Sequence, residues 1–437
     1  MFKTLVNAFK IEQLRKKIFY TFWIVVVVRF GSQLPIPGID VQQVQAFLEQ
    51  VVGDSYSFID SFTGGSFLSM SVFALGVTPY ITSSIIMQLL TIAIPALEEM
   101  NRDGEDGKKK IQKITRYVSV ALAIIESAGL AIGFSRQGAL GDSGIFTILT
   151  IIVTLTAGSC IIMWLGERIS DKGVGSGISI ILLVNIVSRM PSDFANLYQM
   201  FVKNKDLVQA VIAVVIILAV IIATTILVII LQDAERRIPV QYSKKVQGRK
   251  MAGGQSSYIP LKVNTAGVIP VIFASSLLSV PSIIINLFNM TPGTTAQKIL
   301  QGMNQGYWFN PEFPWASIGV IVYIFLNIVF AYFYTSVTFN PMEVANNLKK
   351  NGGFVPGIRP GKPTQDYLNK ILNYIVLIGV TGLIIIALIP VFFSGMFQAD
   401  VSFGGTSLII IVGVILETIK QMESQMLVRN YSGFLND

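Results

Sequence analysis

The stretch 62–90 constrains this chain most, because it is apolar enough to enter a lipid bilayer and yet is repeatedly interrupted. The interruptions are Gly64 and Gly65, then Gly76, then Pro79. Backbone groups freed by glycine and proline lose their hydrogen bonds if they face lipid, so such a break is tolerated only where protein or a water-filled cavity surrounds it. The sequence therefore predicts a broken membrane helix inside a larger assembly of helices.

The central words of this stretch recur far down the chain. Residues 76–81 read GVTPYI and residues 267–272 read GVIPVI, so both fit the pattern G-V-x-P-x-I. A second pair of words is also similar, GISIIL at 177–182 and GTSLII at 405–410. Interrupted apolar segments at corresponding places in two halves are typical of a transport path between inverted repeats. Two matches in corresponding helices indicate such a repeat, although each match alone is weak.

The composition is that of a polytopic membrane protein. Of the 437 residues, 52% are hydrophobic and only 13% are charged, and the mean hydropathy is +0.63, far from the values of soluble domains. The chain has no histidine and a single cysteine, Cys160. A disulfide within the chain is therefore impossible, and a metal site built from histidine and cysteine has no ligands. An intramembrane serine protease would lack its histidine, and the sequence contains no P-loop motif.

Apolar windows of about 20 residues predict ten membrane spans. They lie near residues 18–34, 72–94, 115–135, 145–166, 176–190, 208–232, 263–288, 315–339, 371–393 and 402–420. The first window has no small-residue cleavage site after it, so we interpret it as a span and not as a signal peptide. With the N-terminus in the cytoplasm, 27 of the 33 Lys and Arg residues fall on the cytoplasmic side and five on the other. This bias predicts that both termini are cytoplasmic.

Ten spans divide into two sets of five, and an odd number in each set places the second half upside down relative to the first. The predicted fold is an all-α polytopic membrane protein with ten transmembrane helices in two pseudo-symmetric, inverted halves around a central pore. The N-terminal half comprises residues 1–190 and the C-terminal half residues 191–437.

Aliphatic side chains next to the breaks are candidates for a constriction in this pore. Val77 and Ile81 are four residues apart, as are Ile178 and Leu182, so each pair lies on one helix face. If the repeat axis passes through the middle of the molecule, Ile81 meets Ile272 there. A ring of aliphatic side chains would be tight to ions and would still yield to a wide object, because apolar contacts are non-directional. Ordinary packing or lipid-facing aliphatics remain the alternative.

Residues 58–70, which read FIDSFTGGSFLSM, are too short and too polar to span a membrane. They precede the spanning half of the same interrupted helix. Two interpretations fit equally well: a short re-entrant plug, or an amphipathic helix on the outer surface.

The two largest cytoplasmic segments, 232–263 and 340–370, are basic and rich in glycine and proline. The positive-inside bias explains their charge but not their length, so we predict that they dock a partner. Their basic side chains suit a phosphate backbone or an acidic protein surface, and a ribosome offers both. The candidate docking residues are Arg236, Arg237, Lys244, Lys245, Arg249, Lys250 and Arg359.

Ionisable residues within the predicted spans are scarce, since only Arg29 and Glu126 are assigned there. Four charges close to the ends of their windows are counted with the adjoining loops or tail: Arg116, Arg189, Glu417 and Lys420. Carriers coupled to protons or sodium ions usually place several such groups at mid-membrane. An inverted-repeat solute transporter is therefore the alternative function. It predicts a polar midplane pocket, whereas a channel for polypeptide predicts an aliphatic constriction. A membrane-bound enzyme would need a cluster of polar catalytic groups, and the sequence offers none.

Several long words, in order along nearly the whole chain, resemble the SecY family, the central subunit of the bacterial protein-conducting channel. They are ALGVTPYITSSIIMQLL, MWLGERISDKGVGSGISII, NTAGVIPVIFASS, FNPMEVANNLKKNGGFVPGIRPG and FGGTSLIIIVGV, with LPIPGI after the first span. The resemblance implies an hourglass pore between two halves, a plug from the first half of span two, and a lateral gate between spans two and three and spans seven and eight. It also implies a channel through which unfolded secretory proteins cross the plasma membrane. Membrane proteins would leave this channel sideways into lipid, and the chain itself would do no chemistry.

The resemblance assigns roles to individual residues. The pore-ring positions fall on Val77, Ile81, Ile178, Leu182, Ile272 and Ile410, where valine and leucine are small departures from an all-isoleucine ring. The plug includes Phe62, Gly64, Gly65, Phe67 and Leu68. Candidate gate residues are Thr82, Ser84, Gln88, Ser275 and Ser276, although hydroxyls also commonly join membrane helices.

The resemblance also implies partners. Arg359 matches a family residue implicated in working with the motor ATPase SecA. Further expected partners are the subunits SecE and SecG, the ribosome, the receptor of the signal-recognition particle, the secretory polypeptide and membrane lipids. No cofactor and no metal are expected.

Overall fold

The computed structural model describes most of the chain. The described residues are 2–39, 41, 43–44, 60, 62–136, 144–203, 206–242, 245–247, 250–252, 256–275, 277–278, 302–303, 308–309, 314–397 and 406–433. Predicted site residues Lys244, Arg249 and Ser276 lie outside them, as do residues 58, 59 and 61 of the predicted plug.

Seven helices are described in the first half of the chain. They are α1 Phe2–Lys10, α2 Glu12–Gly31, α3 Thr78–Ala93, α4 Pro95–Arg102, α5 Glu105–Arg136, α6 Ile145–Lys172 and α7 Gly177–Phe201. Proline lacks a backbone N–H and is tolerated in the first helical turn, and it is found in the first turn of both α3 and α4. The chain bends by 102° between these two helices.

The second half contributes α8 Leu207–Asp233, α9 Ile318–Thr338, α10 Pro341–Lys350, α11 Lys362–Phe397 and α12 Thr406–Gly433. Residues 269–275 are also helical. The N-terminus of α10 is capped by Asn340, whose side chain accepts hydrogen bonds from the backbone N–H groups of Met342 at 3.1 Å and Glu343 at 3.4 Å.

Six helices of the described part of the chain are long and apolar enough to cross a membrane, or seven if the bent pair α3 and α4 counts as one span. The prediction of a helical, multi-pass membrane protein is confirmed. Described helices overlap all ten predicted windows, although residues 279–288 of the seventh window lie outside the described residues. The count of ten transmembrane helices stays a prediction, and so does the inverted arrangement of the halves.

The two repeated words adopt the same local conformation. Gly76 and Gly267 both have a positive φ, at +55° and +63°, a region that glycine enters without a steric penalty. Helix α3 begins two residues after Gly76, and the helical segment 269–275 begins two residues after Gly267. The matching words therefore produce the same sequence of a glycine at positive φ and a helix start two residues later.

A small β-sheet joins the two predicted docking segments, a feature that the sequence analysis left as loops. Strand β1 Glu235–Tyr242 pairs antiparallel with β4 Ser256–Lys262 and with β5 Gly353–Phe354. Strands β2 Lys245–Gln247 and β3 Lys250–Ala252 form a separate hairpin. Ile238 and Val240 of β1 are buried together with Leu348 and Leu368, so segments 232–263 and 340–370 share one small apolar core.

Candidate functional site

The predicted ring residues come from helices that are far apart in the sequence, and most of them meet. Val77, Leu182 and Ile410 are buried in one apolar cluster. Ile81 and Ile178 are half-buried and pack against it. We call this cluster, with the residues that pack against it, the central cluster. Its buried members are Ile24, Val28, Phe62, Phe73, Val77, Ile162, Leu165, Ile169, Ile180, Ile181, Leu182, Ile186 and Ile410. Side chains of α2, α6, α7 and α12 all contribute to it, so it lies where the helices converge.

Ile272 is the exception among the six predicted ring residues. Ile272 is half-buried and is not among the residues that pack against the central cluster. Val268, four residues earlier, is the residue of this region that packs there. The buried Val271 and Ala274 on the same turn pack instead into a second core that involves α9 and α11. The contact with the central cluster is therefore made by the residue just before the helical segment 269–275, and Val271 and Ala274 of that segment face the second core.

The interrupted segment before α3 lies inside the protein and is hydrogen-bonded to the chain that follows α2. The N–H of Ile36 donates to the carbonyl oxygen of Met70 at 3.0 Å, and the N–H of Val72 donates to that of Leu34 at 2.9 Å. Backbone groups that the break removes from a helix thus find partners in protein, as a break at membrane depth requires.

Helix α6 approaches this segment closely. A Cβ atom on Gly158 would collide with the carbonyl oxygen of Val72, and the Ser159 hydroxyl donates to the carbonyl oxygen of Gly76 at 3.3 Å. A glycine followed by a serine is therefore what lets α6 support the broken part of the chain. Small residues generally permit such close approach between membrane helices.

The described residues of the predicted plug, 60 and 62–70, are buried or half-buried. We call these residues the plug segment. Phe62 packs into the central cluster, while Phe67 and Leu68 pack against α5 and α6. Gly64 and Gly65 have positive φ values of +67° and +86°, so the chain turns sharply between these two anchors. The plug interpretation stays a prediction, and this burial supports it over an amphipathic helix on the outer surface.

Two polar side chains hold the backbone of the plug segment. The Asn185 side-chain amide donates to the carbonyl oxygen of Phe62 at 3.1 Å, and the guanidinium of Arg29 donates to that of Gly64 at 3.2 Å. Arg29 was noted from the sequence only as a rare charge within a span. The structure supplies its contact.

Sequence reasoning missed Arg189, which it counted with the outer loop. The structure places Arg189 within α7, where it forms an ion pair with Asp60 of the plug segment. Residues 178, 182, 185 and 189 follow one another at intervals of four, three and four, so they share one face of α7. That spacing was the available signal, because the face begins with two predicted ring residues.

The predicted gate residues do not share one environment. On α3, Thr82 and Ser84 are half-buried and Gln88 is exposed. Ser275, in contrast, is buried and hydrogen-bonds to Tyr323 of α9. This contact joins the seventh span to α9.

Three of the docking candidates, Arg236, Arg237 and Arg359, have exposed side chains. Arg236 and Arg237 lie on β1, and Arg359 lies in the turn between β5 and α11. Arg237 is bonded to Glu235 at 2.6 Å and stacks over the ring of Tyr258 at 4.9 Å. The bond to Glu235 raises the pKa of Arg237, so this cation stays charged. Lys245 and Lys250 lie on the β2–β3 hairpin.

Solved structures with the same fold define the class of protein. One described as a protein-conducting channel aligns with a TM-score of 0.61 at 18% identity, over 94% of this chain and 92% of that chain. A SecY structure, whose plug domain is described as stabilising the closed state and maintaining a membrane seal, aligns equally well. Sec61 in a canine ribosome–channel complex aligns with a TM-score of 0.56 at 16% identity, over 94% and 92%. The chain has the fold of protein-conducting membrane channels.

Sequence relatives give the family. The family model SecY matches residues 71–419. The protein translocase subunit SecY of Streptomyces coelicolor is 44% identical, over 100% of both chains. That of Corynebacterium glutamicum is 40% identical, over 99% of both. This chain belongs to the SecY family.

Proposed function

We propose that this chain forms a protein-conducting channel through which unfolded secretory polypeptide crosses the membrane, with the central cluster as its constriction. The observation that carries the proposal is the convergence of Val77, Leu182 and Ile410, which are buried together although they belong to three separate segments. Aliphatic side chains offer no site for an ion, and a dry constriction of this kind blocks ions until it is forced apart. A passing polypeptide would displace contacts that have no preferred direction.

The plug segment closes the outer side of this constriction in the resting channel. Its burial between the central cluster and helices α5 and α6 supports this role, as does the described role of the plug in the solved SecY structure of the same fold. Residues 64–70 of the segment form turns and no helix. Gly64 and Gly65 make a sharp bend, with positive φ values that glycine adopts readily. The segment can therefore leave without the unfolding of a long helix.

A lateral gate opens between α3 and α5 on one side and the seventh span and α9 on the other, and lets membrane proteins pass into lipid. Thr82, Ser84 and Gln88 line its α3 side. The exposed amide of Gln88 supports this assignment, because an exposed polar group on an apolar helix suits a path that is wet on one side. Ser275, which contacts Tyr323, fastens the opposite side together, and Ser276 is proposed to accompany it.

The cytoplasmic sheet is the docking site for the source of work, either the motor ATPase SecA or the ribosome. The exposed cations Arg236 and Arg237 on the sheet and Arg359 in the segment that follows it support a contact with phosphate or an acidic surface. The canine structure with the same fold is a ribosome–channel complex. The subunits SecE and SecG and the receptor of the signal-recognition particle complete the proposed set of partners. The chain itself catalyses no reaction.

The proposed location is the bacterial plasma membrane, with both termini in the cytoplasm. The charge bias of the loops supports this orientation. A solute transporter, the alternative from the sequence, is not favoured, because the chain belongs to a family of translocase subunits.

Crosslinking of a stalled secretory chain tests the constriction. In a Cys160→Ser background, a single cysteine is placed at Ile178 or at Ile410, and a matched control cysteine at Val215 on α8, which is 60% exposed. We expect the stalled chain to crosslink to both central cysteines and not to the control. Equal crosslinking at Val215, or none at the centre, would overturn the proposed path.

A further inference from the structure

The ion pair between Asp60 and Arg189 is the most deeply buried one in the described part of the chain. The Asp60 side chain is 0% exposed and that of Arg189 is 18% exposed, whereas both side chains of the surface pair Lys420–Asp233 are more than half exposed. The pair joins two parts of the chain with different expected mobility, the plug segment and a membrane helix. A buried charge needs such a partner, because an isolated one is strongly destabilising.

Asp60 also organises the plug segment internally. Its Oδ1 accepts a hydrogen bond from the N–H of Leu68 at 3.0 Å and one from the hydroxyl of Thr63 at 3.4 Å. One carboxylate thus ties both ends of the segment together and ties the segment to α7. Arg189 takes part in the attachment of the segment to α7 and in none of the bonds from Asp60 to Leu68 and Thr63. A change of Arg189 therefore perturbs the attachment and leaves these internal bonds of the segment intact.

Arg189 lies on the α7 face that also carries Ile178, Leu182 and Asn185. The first two belong to the central cluster, and Asn185 holds the backbone of Phe62 at 3.1 Å. A movement of α7 that widens the constriction therefore also moves the groups that hold the plug segment.

We propose that Arg189 is a positioning residue whose ion pair with Asp60 holds the plug segment in the closed channel and sets how readily it leaves. The inference rests on the proposed role of the plug. Removal of one partner of a buried ion pair is strongly destabilising, because it leaves an uncompensated charge, whereas replacement of both partners is close to neutral. Loss of Arg189 alone therefore drives Asp60 towards water and the plug segment out of its place.

The test measures plug position and sealing separately. A Ser66→Cys probe in a Cys160→Ser background reports plug position, since Ser66 is 1% exposed and reacts with a membrane-impermeant maleimide only when the segment leaves. Resting ion conductance of the reconstituted channel reports the seal. For Arg189→Gln we expect labelling to accelerate at least about tenfold, together with a higher conductance. Arg189→Lys, which keeps the charge, should remain near the parent.

A double variant and a surface variant serve as controls. Asp60→Asn combined with Arg189→Gln removes both charges and should label more slowly than Arg189→Gln alone. Lys420→Gln, which breaks the exposed pair with Asp233, should label like the parent. Labelling of Arg189→Gln at the parent rate, or labelling of the double variant as fast as that of Arg189→Gln alone, would overturn the proposal. Faster labelling without added conductance would support the ion pair as the attachment and overturn the sealing role of the plug.

Discussion

Truncation of Leu182 to alanine tests whether the central cluster seals the channel or merely contributes to its stability. Leu182 is 7% exposed, so nearly all of its side chain is buried among apolar neighbours. Truncation to alanine therefore removes atoms that are buried in the central cluster. Leucine-to-alanine changes in cores cost roughly 2–5 kcal/mol. We expect about 2–3 kcal/mol here, in the lower part of that range, because the half-buried Ile81 and Ile178 can shift towards the space that is left.

The matched control is Leu368→Ala. Leu368 of α11 is 0% exposed and belongs to the apolar core that β1 shares with α10 and α11. This core involves no predicted ring residue. Truncation of Leu368 should cost at least as much, about 3–4 kcal/mol, because a fully enclosed site collapses less.

The assay pairs thermal unfolding in detergent with single-channel conductance in a planar bilayer. Both variants should unfold at a lower temperature than the parent. Only Leu182→Ala should raise the resting conductance, since it widens a constriction that excludes ions by its apolar lining. A leak of similar size from Leu368→Ala would show that general destabilisation opens the channel, and a tight Leu182→Ala channel would show that the cluster is not the seal.

Arg359→Glu should abolish motor-driven export in reconstituted vesicles while the protein stays folded. Lys349→Glu changes another exposed cation of the segment 340–370 and should retain most of the export. Normal export by the Arg359 variant would contradict a docking role. Ile81→Gly should raise the resting conductance more than Ile272→Gly, because only Ile81 packs against the central cluster; equal leaks would place Ile272 in the seal. Gly158→Val should lower the unfolding temperature by an amount equivalent to about 1–3 kcal/mol, since its side chain would meet the backbone of the broken segment; an unchanged melting curve would contradict that close approach.

Local signals in the sequence account for the membrane helices and for the break between them. Gly76 and Pro79 predicted where the second apolar stretch is interrupted, and α3 begins at Thr78, between them. Such signals suffice because glycine and proline restrict the backbone regardless of what surrounds them. The repeat of the word at Gly267 also predicted a second break, and its positive φ agrees.

Contacts between distant residues could not be predicted in this way. The strand β1 was left within a loop because its alternation of buried Ile238 and Val240 with exposed residues is short and includes Pro239. Its pairing with β5 joins residues more than a hundred positions apart. The pairing of Asp60 with Arg189 is equally distant, and a charge close to the end of an apolar window is naturally counted with the adjoining loop.

Helix α7 combines two kinds of contact that differ in how they yield. Ile178 and Leu182 make apolar contacts, whose free energy varies smoothly with the area that they bury, so the constriction can widen gradually around chains of different shape. Asn185 and Arg189 make directional contacts with the plug segment, and these are lost over a short displacement because hydrogen bonds weaken steeply with distance and angle. A helix that carried only apolar contacts would let the plug segment drift, and one that carried only polar contacts would bind a passing polypeptide. Because both kinds share one face of one helix, the proposed roles predict that a small outward movement of α7 would release the plug segment abruptly while the constriction widens only gradually.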